Sequence, residues 1–216
     1  MKLKNYKSIA ACDVQLGPLT FLVGPNGSGK SNFLDALHFV RDALMDSLDS
    51  ALNWRGGLNQ VRRRPSEHST HFGFRLEFQL ASGETGYYAF NVGARSAGGY
   101  EVQREECALN GVGHSPYFHV EAGRVVQCSE PTFPAVTADR LALVSSSGLT
   151  VFRPVFDALT SMGFYNLDPN VIRRLQNFQN DRLLKSDGEN ISSVVGHLIR
   201  VAPQNKVLVE MPYNAG

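Results

Sequence analysis

The residues Gly24-Pro25-Asn26-Gly27-Ser28-Gly29-Lys30-Ser31 restrict this chain more than any other stretch of it. They fit GxxxxGK[ST], a pattern that chance yields in roughly one chain in a hundred of this length at ordinary glycine usage. Their surroundings restrict it further. Residues 19–23 form a short apolar run of the kind that makes a buried strand, and it ends at the first glycine. Beyond Lys30, the residues Phe33, Leu34, Leu37, Val40, Leu44 and Leu48 recur at helical spacing, with no glycine or proline before Gly56. Strand, glycine loop and helix in that order predict a phosphate-binding loop.

Each position has a physical reason. The glycines let the backbone of residues Gly24 to Gly29 curl so that successive N–H groups of the loop point inward as an anion nest. The helix that starts at Lys30 adds its unpaired N–H groups and the positive end of its dipole. Lys30 brings a point charge for the β- and γ-phosphates, and the Ser31 hydroxyl is a ligand for Mg²⁺. Pro25, Asn26, Ser28 and Asn32 complete the candidate nucleotide contacts, with ATP and Mg²⁺ as the cofactors. A plain glycine turn before a helix with an exposed lysine would not require Lys-Ser after the last glycine.

The rest of the chain has a different texture. Phe72, Phe74, Leu76, Phe78 and Leu80 alternate with other residues. Further strands are predicted over residues 87–92 and 100–109, and Asn110-Gly111 is a hairpin signal, so residues 70–128 read as an antiparallel meander. Residues 145–148 have loop composition. Helical patterns follow over 152–162, from Asp168-Pro169 and over 191–201. The fold class is therefore α/β, with a phosphate-loop lobe over 1–150 and a helical segment over 151–216. A net charge of +1 in 216 residues argues against a strongly basic nucleic-acid surface, though not against a local patch. Cys12, Cys107 and Cys128 are scattered and odd in number, without ligand spacing, so neither a disulfide framework nor a zinc site is expected. No apolar run is long enough to span a bilayer, and a cytoplasmic protein is the default expectation.

Residues 24–37, GPNGSGKSNFLDAL, resemble the N-terminal ATPase segment of SMC and RecF-type proteins. The chain is more closely similar to the bacterial AAA/ABC-like ATPases related to them and to OLD nucleases. The opening Tyr6-Lys7-Ser8-Ile9 and the run from Leu16 to Gly24 share that likeness, as do residues 164–169 and 187–191. Arg55-Gly56-Gly57 resembles the arginine loop of SMC heads, where the arginine lies near nucleotide and DNA. The resemblance implies an ABC-type P-loop NTPase with an antiparallel β insertion, acting as a homodimer of heads that closes on ATP. It implies service in DNA repair, DNA maintenance or phage defence, with DNA and a partner nuclease as partners. It also implies a Mg²⁺-sensing glutamine, for which Gln60, Gln103 and Gln127 are equivalent by sequence.

Two parts of that family pattern have no match. Leu143-Val144-Ser145-Ser146-Ser147-Gly148 is superficially like a signature segment but lies too early. Val207-Leu208-Val209-Glu210 is an apolar run ending in acid without the paired aspartate of a Walker B strand. An incomplete domain, cut before both motifs, is the expectation, with ATP binding but little turnover by this chain alone. The alternative is a non-catalytic module that responds to ATP. Asn205-Lys206 lacks the aspartate of a guanine-recognition motif, and no second-substrate motif marks a metabolite kinase. Arg62-Arg63-Arg64, with Arg55 near in sequence, is the densest basic cluster; contact with nucleic-acid phosphate and a solvated turn are equally open readings. Asp35 reads as a helix-surface or packing residue. Glu105 and Glu106 would face opposite sides of a strand.

Overall fold

The computed structural model describes residues 1–63, 71–111, 113–174 and 183–201. It divides into two compact units, residues 1–162 and 163–216.

The first unit is built on a seven-stranded antiparallel sheet in the order β2-β1-β3-β4-β5-β6-β7. Strands β1 (Lys2–Tyr6) and β2 (Ile9–Asp13) form an opening hairpin, and β1 also pairs with β3 (His71–Gln79). From β3 the sheet runs as a meander through β4 (Thr85–Ala94), β5 (Tyr100–Asn110), β6 (Tyr117–Glu121) and β7 (Arg124–Cys128). Alternation decides the faces: Phe72, Phe74, Leu76, Tyr88, Phe90, Cys107, Phe118 and Val120 are buried on one side. Arg75, Tyr87 and Arg104 lie on the other side, where the Arg75 guanidinium stacks 3.6 Å above the Tyr87 ring.

Helices cover the apolar face. α1 (Lys30–Met45) puts Phe33, Ala36, Phe39, Val40 and Ala43 inward, the stripe that its spacing predicts. Phe39 stacks on Phe74 at 5.5 Å and meets Phe72 edge-on at 5.6 Å. α5 (Arg153–Thr160) packs on α1, and Phe152 just before it meets Phe118 of β6 at 5.2 Å. The second unit contains α6 (Pro169–Ile172), whose predicted Asp168 cap accepts from Asn170 N at 2.8 Å, and α7 (Ile191–Val201).

The structure departs from the sequence reading at four places. Residues 19–23 are not a buried strand: Leu19, Phe21 and Val23 are 76%, 78% and 88% exposed and pair with no strand among the described residues. The helix after the glycine loop does not run to Gly56 but breaks at Ser47. There the extended backbone and a hydroxyl that accepts from Ser50 N at 2.9 Å begin α2 (Leu48–Asn53) anew. Ser47→Ala is expected to lower stability by about 1 kcal/mol, read as a shift of the urea midpoint. Asn110-Gly111 is not a two-residue turn, because β6 starts only at Tyr117; the tight hairpin is Ala122-Gly123, with φ of 45° and 75°. The loop expected over 145–148 starts only at Ser147: Ser145 and Ser146 belong to the short helix α4 (Ala142–Ser146), whose first N–H groups find a carboxylate from β5.

Candidate functional site

The glycine loop follows the exposed residues 19–23 and ends at α1. Gly24, Gly27 and Gly29 have φ of 153°, 80° and 95°, conformations that side chains strongly disfavour. Gly29 is the N-cap of α1, so no side chain caps that helix, and its first turn contains no acid. A 16-residue helix therefore presents unpaired N–H groups and its positive dipole end to the loop, with no carboxylate beside them. Lys30 Nζ donates to the carbonyls of Gly24 and Pro25 at 2.7 Å each and to Ser28 Oγ at 3.2 Å. The ammonium is thus held across the mouth of the loop by the loop's own oxygens, which a phosphate would have to replace. An open cleft of about 690 Å³ runs beside it, lined by Ser8, Ile9, Val14, Phe21, Gly27 and Lys30 among others.

Of the remaining loop candidates, Asn26 and Ser31 are exposed, and the Ser31 hydroxyl is free to approach a cation at the loop. Asn32 turns elsewhere. Its amide donates to Ser8 Oγ at 2.7 Å, on the turn between β1 and β2. The donor set suits a polyphosphate: backbone N–H groups, one ammonium and one hydroxyl, with no competing anion in the first turn.

The arginines separate. Arg55 turns inward: its side chain is 7% exposed, Nε meets Asp35 Oδ1 at 3.0 Å, and Nη2 meets Asp42 Oδ2 at 2.9 Å. Its guanidinium also lies 5.2 Å from the centre of the Phe39 ring. A phosphate contact through Arg55 would require breaking both ion pairs. Arg62 and Arg63 run beside β1, where Arg62 bridges Tyr6 and Arg63 N donates to Asn5 O at 2.8 Å, and the Arg63 side chain faces solvent. Arg64 and residues 205–210 lie outside the described residues.

Sequence reasoning undervalued Asp35. Besides Arg55, this carboxylate accepts the Tyr6 hydroxyl at 2.6 Å and pairs with Lys7 Nζ at 2.6 Å. Burial alone would raise its pKa, but the Lys7 and Tyr6 bonds, with Arg55 beside them, hold it below the ordinary value and keep it charged. One signal was available: Asp35 and Asp42, seven apart, sit one turn either side of buried Phe39, and acids bordering an apolar stripe need a cation.

Comparison with known proteins agrees with this arrangement. Residues 19–91 match the family described as "AAA domain, putative AbiEii toxin, Type IV TA system". An OLD nuclease of Thermus scotoductus is 36% identical over 72 residues, 33% of this chain and 14% of that protein. The DNA replication and repair protein RecF of Porphyromonas gingivalis is 54% identical over 108 residues, 33% of this chain and 30% of that one. This chain thus resembles the SMC, RecF and OLD proteins over the region that holds the glycine loop. Structural maintenance of chromosomes protein 1 of Schizosaccharomyces pombe extends the likeness at 30% identity over 115 residues, 49% of this chain and 9% of that protein. The chain thus aligns with less than a third of the length of each of these relatives. The matched residues 19–91 run through the glycine loop, α1, α2, the short helix α3 (Leu58–Val61) and β3 into β4. Among the described residues no helix is long and apolar enough to cross a membrane, and no cluster of His, Cys, Asp or Glu could hold a metal ion by itself.

Proposed function

We propose that residues 24–31 bind ATP with Mg²⁺, and that the chain serves an ABC-type ATPase in which two heads close on the nucleotide before hydrolysis. The observation that carries this reading is the electrostatics of the loop. The N-terminus of α1 is uncapped and free of acids, three glycines hold positive φ, and Lys30 stands across the mouth. In the bound state the loop N–H groups would cradle the phosphates, Lys30 would leave its carbonyls for the β- and γ-phosphates, and the Ser31 hydroxyl would ligate Mg²⁺. Bound Mg²⁺ would supply charge neutralisation for the triphosphate.

The exposure of Leu19, Phe21 and Val23 supports a further part of the reading. An apolar run of that kind leading into a phosphate loop is expected to be covered by additional strands in the working protein, as an incomplete ABC-type domain requires. The likeness to RecF and to an OLD nuclease supports a role on DNA, in repair, maintenance or phage defence, with Arg62, Arg63 and Arg64 as the cations for phosphate contact and a nuclease as a partner.

Titration calorimetry with ATP and Mg²⁺ tests the core of this. Lys30→Ala is expected to weaken binding by about 100-fold, the loss of one charge-assisted phosphate contact. Equal affinity of the variant and the natural chain would overturn the assignment.

A further inference from the structure

The turn between β1 and β2 is fastened to the start of α1 at three points. Asn32 Nδ2 donates to Ser8 Oγ at 2.7 Å, and both the Tyr6 hydroxyl and the Lys7 ammonium reach Asp35 Oδ2 at 2.6 Å. The turn needs fastening, because Lys7 has φ of 46°, a left-handed conformation that a residue with a Cβ disfavours. A backbone bond from Lys7 N to Val61 O at 2.7 Å holds it from the other side.

The fastened turn also touches the glycine loop. A Cβ placed on Gly29 would lie 3.6 Å from both Ile9 Cγ1 and Ser8 Oγ, so the turn forms a wall against the last glycine before Lys30. Asp35 follows Ser31 by four residues and lies one helical turn beyond it. Its second oxygen, Oδ1, accepts from Arg55, so the same carboxylate ties the turn, the loop's helix and the residues after α2.

We propose that Asp35 is a positioning residue for the glycine loop: it holds the strained β1–β2 turn against residues 29–32 and so sets the loop for a triphosphate that it never touches. This rests on the reading that the loop binds a triphosphate. Asp42 supplies the internal contrast. It pairs with Arg55 and with His38 Nε2 at 3.3 Å, and neither contact involves the turn. Losing Asp42 should therefore cost fold stability and leave the loop in place, whereas losing Asp35 should disturb both.

The test compares Asp35→Asn, Asp42→Asn and Lys30→Ala in the whole chain by MgATP calorimetry and by hydrogen exchange of the loop amides. Asp35→Asn is expected to weaken MgATP binding about tenfold, the effect of a modest misplacement of the loop. Exchange should speed up more over residues 24–32 than in β4 and β5, where only the change in global stability is felt. Asp42→Asn should bind within about twofold of the natural chain, since Asp42 makes no contact with the turn and Asp35 keeps Lys7 and Tyr6 there without it. Tyr6→Phe, which deletes a single hydroxyl and keeps the ring, reads the same contact should Asp35→Asn fail to fold; about threefold weaker binding is expected. The proposal falls if Lys30→Ala abolishes binding while Asp35→Asn, or Tyr6→Phe in its place, keeps natural affinity and loop exchange. Equal weakening by Asp35→Asn and Asp42→Asn also overturns it. If Lys30→Ala itself binds normally, it is the triphosphate reading that fails.

Discussion

Arg55→Ala is expected to lower the stability of the chain by about 3–5 kcal/mol, because it strands the buried carboxylate of Asp42 and takes one partner from Asp35, rather than removing a surface charge. The guanidinium is nearly closed off from solvent, and so is its partner Asp42, whose side chain is 8% exposed. After the change, Asp35 keeps Lys7 and Tyr6, but Asp42 keeps only half-exposed His38. The loss is larger than for an exposed pair such as Arg153–Asp157, where screening leaves about 0.5 kcal/mol or less. Arg55→Lys restores the charge but not the two-armed geometry. One ammonium cannot reproduce bonds from Nε to Asp35 and from Nη2 to Asp42, so it should recover only part of the loss. Urea unfolding of the natural chain and both variants measures this. A loss below about 1 kcal/mol for Arg55→Ala would mean that the pairs behave as solvated ones. Nucleic-acid contact by Arg55 makes the opposite prediction, a change in DNA affinity with little change in stability.

The parts of the fold that were legible in sequence are those set by local periodicity. Phe72, Phe74, Leu76 and Phe78 alternate because one face of β3 is buried, and the stripe on α1 has its 3.6-residue spacing for the same reason. Asp168-Pro169 announced a helix start because capping is a local event. What escaped depends on partners distant in sequence. Residues 145–148 have loop composition, yet Ser145 and Ser146 close the helix α4, whose first N–H groups are bonded by Glu105, 37 residues before Ala142. The Ala122-Gly123 turn was hidden because alanine is a poor residue for φ of 45°, while Asn110-Gly111 offered a better local signal in the wrong place. Residues 19–23 are as apolar as a buried strand should be, but burial belongs to the surroundings and not to the segment. At the candidate site the glycine loop is read from consecutive residues, and the positive φ of Gly24, Gly27 and Gly29 is the local part of that reading which the structure bears on, while Asn32 donates to Ser8 instead. The Asp35 network was not legible, because Tyr6 and Lys7 of the opening hairpin and Arg55 beyond α2 reach it from two segments distant in sequence.

Glu105→Ala is expected to cost about 3–5 kcal/mol, through three orphaned donors and a cavity. The side chain is fully buried in β5. Its Oε1 accepts from the Tyr88 hydroxyl at 2.9 Å and from Leu143 N at 2.8 Å, while Oε2 accepts from Ala142 N. Removing it uncaps α4 and leaves a buried phenol unpaired. The same group makes stability depend on pH, with a sign opposite to that of most carboxylates. Burial pushes its pKa from the ordinary 4.5 up to about 7, against the lowering effect of its three hydrogen bonds. Between those values the folded chain holds a proton that the unfolded chain has released, so stability falls as pH rises from 4.5 through 7 and then levels off. The contribution amounts to about 3 kcal/mol over that window. His71 opposes it in the same range, because burial lowers its pKa and folding disfavours its charged form as pH falls. The decisive readout is therefore the difference between the natural chain and Glu105→Gln, unfolded in urea at pH 5 and pH 8. The variant should be less stable at both values, because its amide nitrogen meets a backbone N–H, and it should lack the decline between them. An identical decline in both proteins would remove Glu105 as its source and leave the carboxylate with a capping role alone.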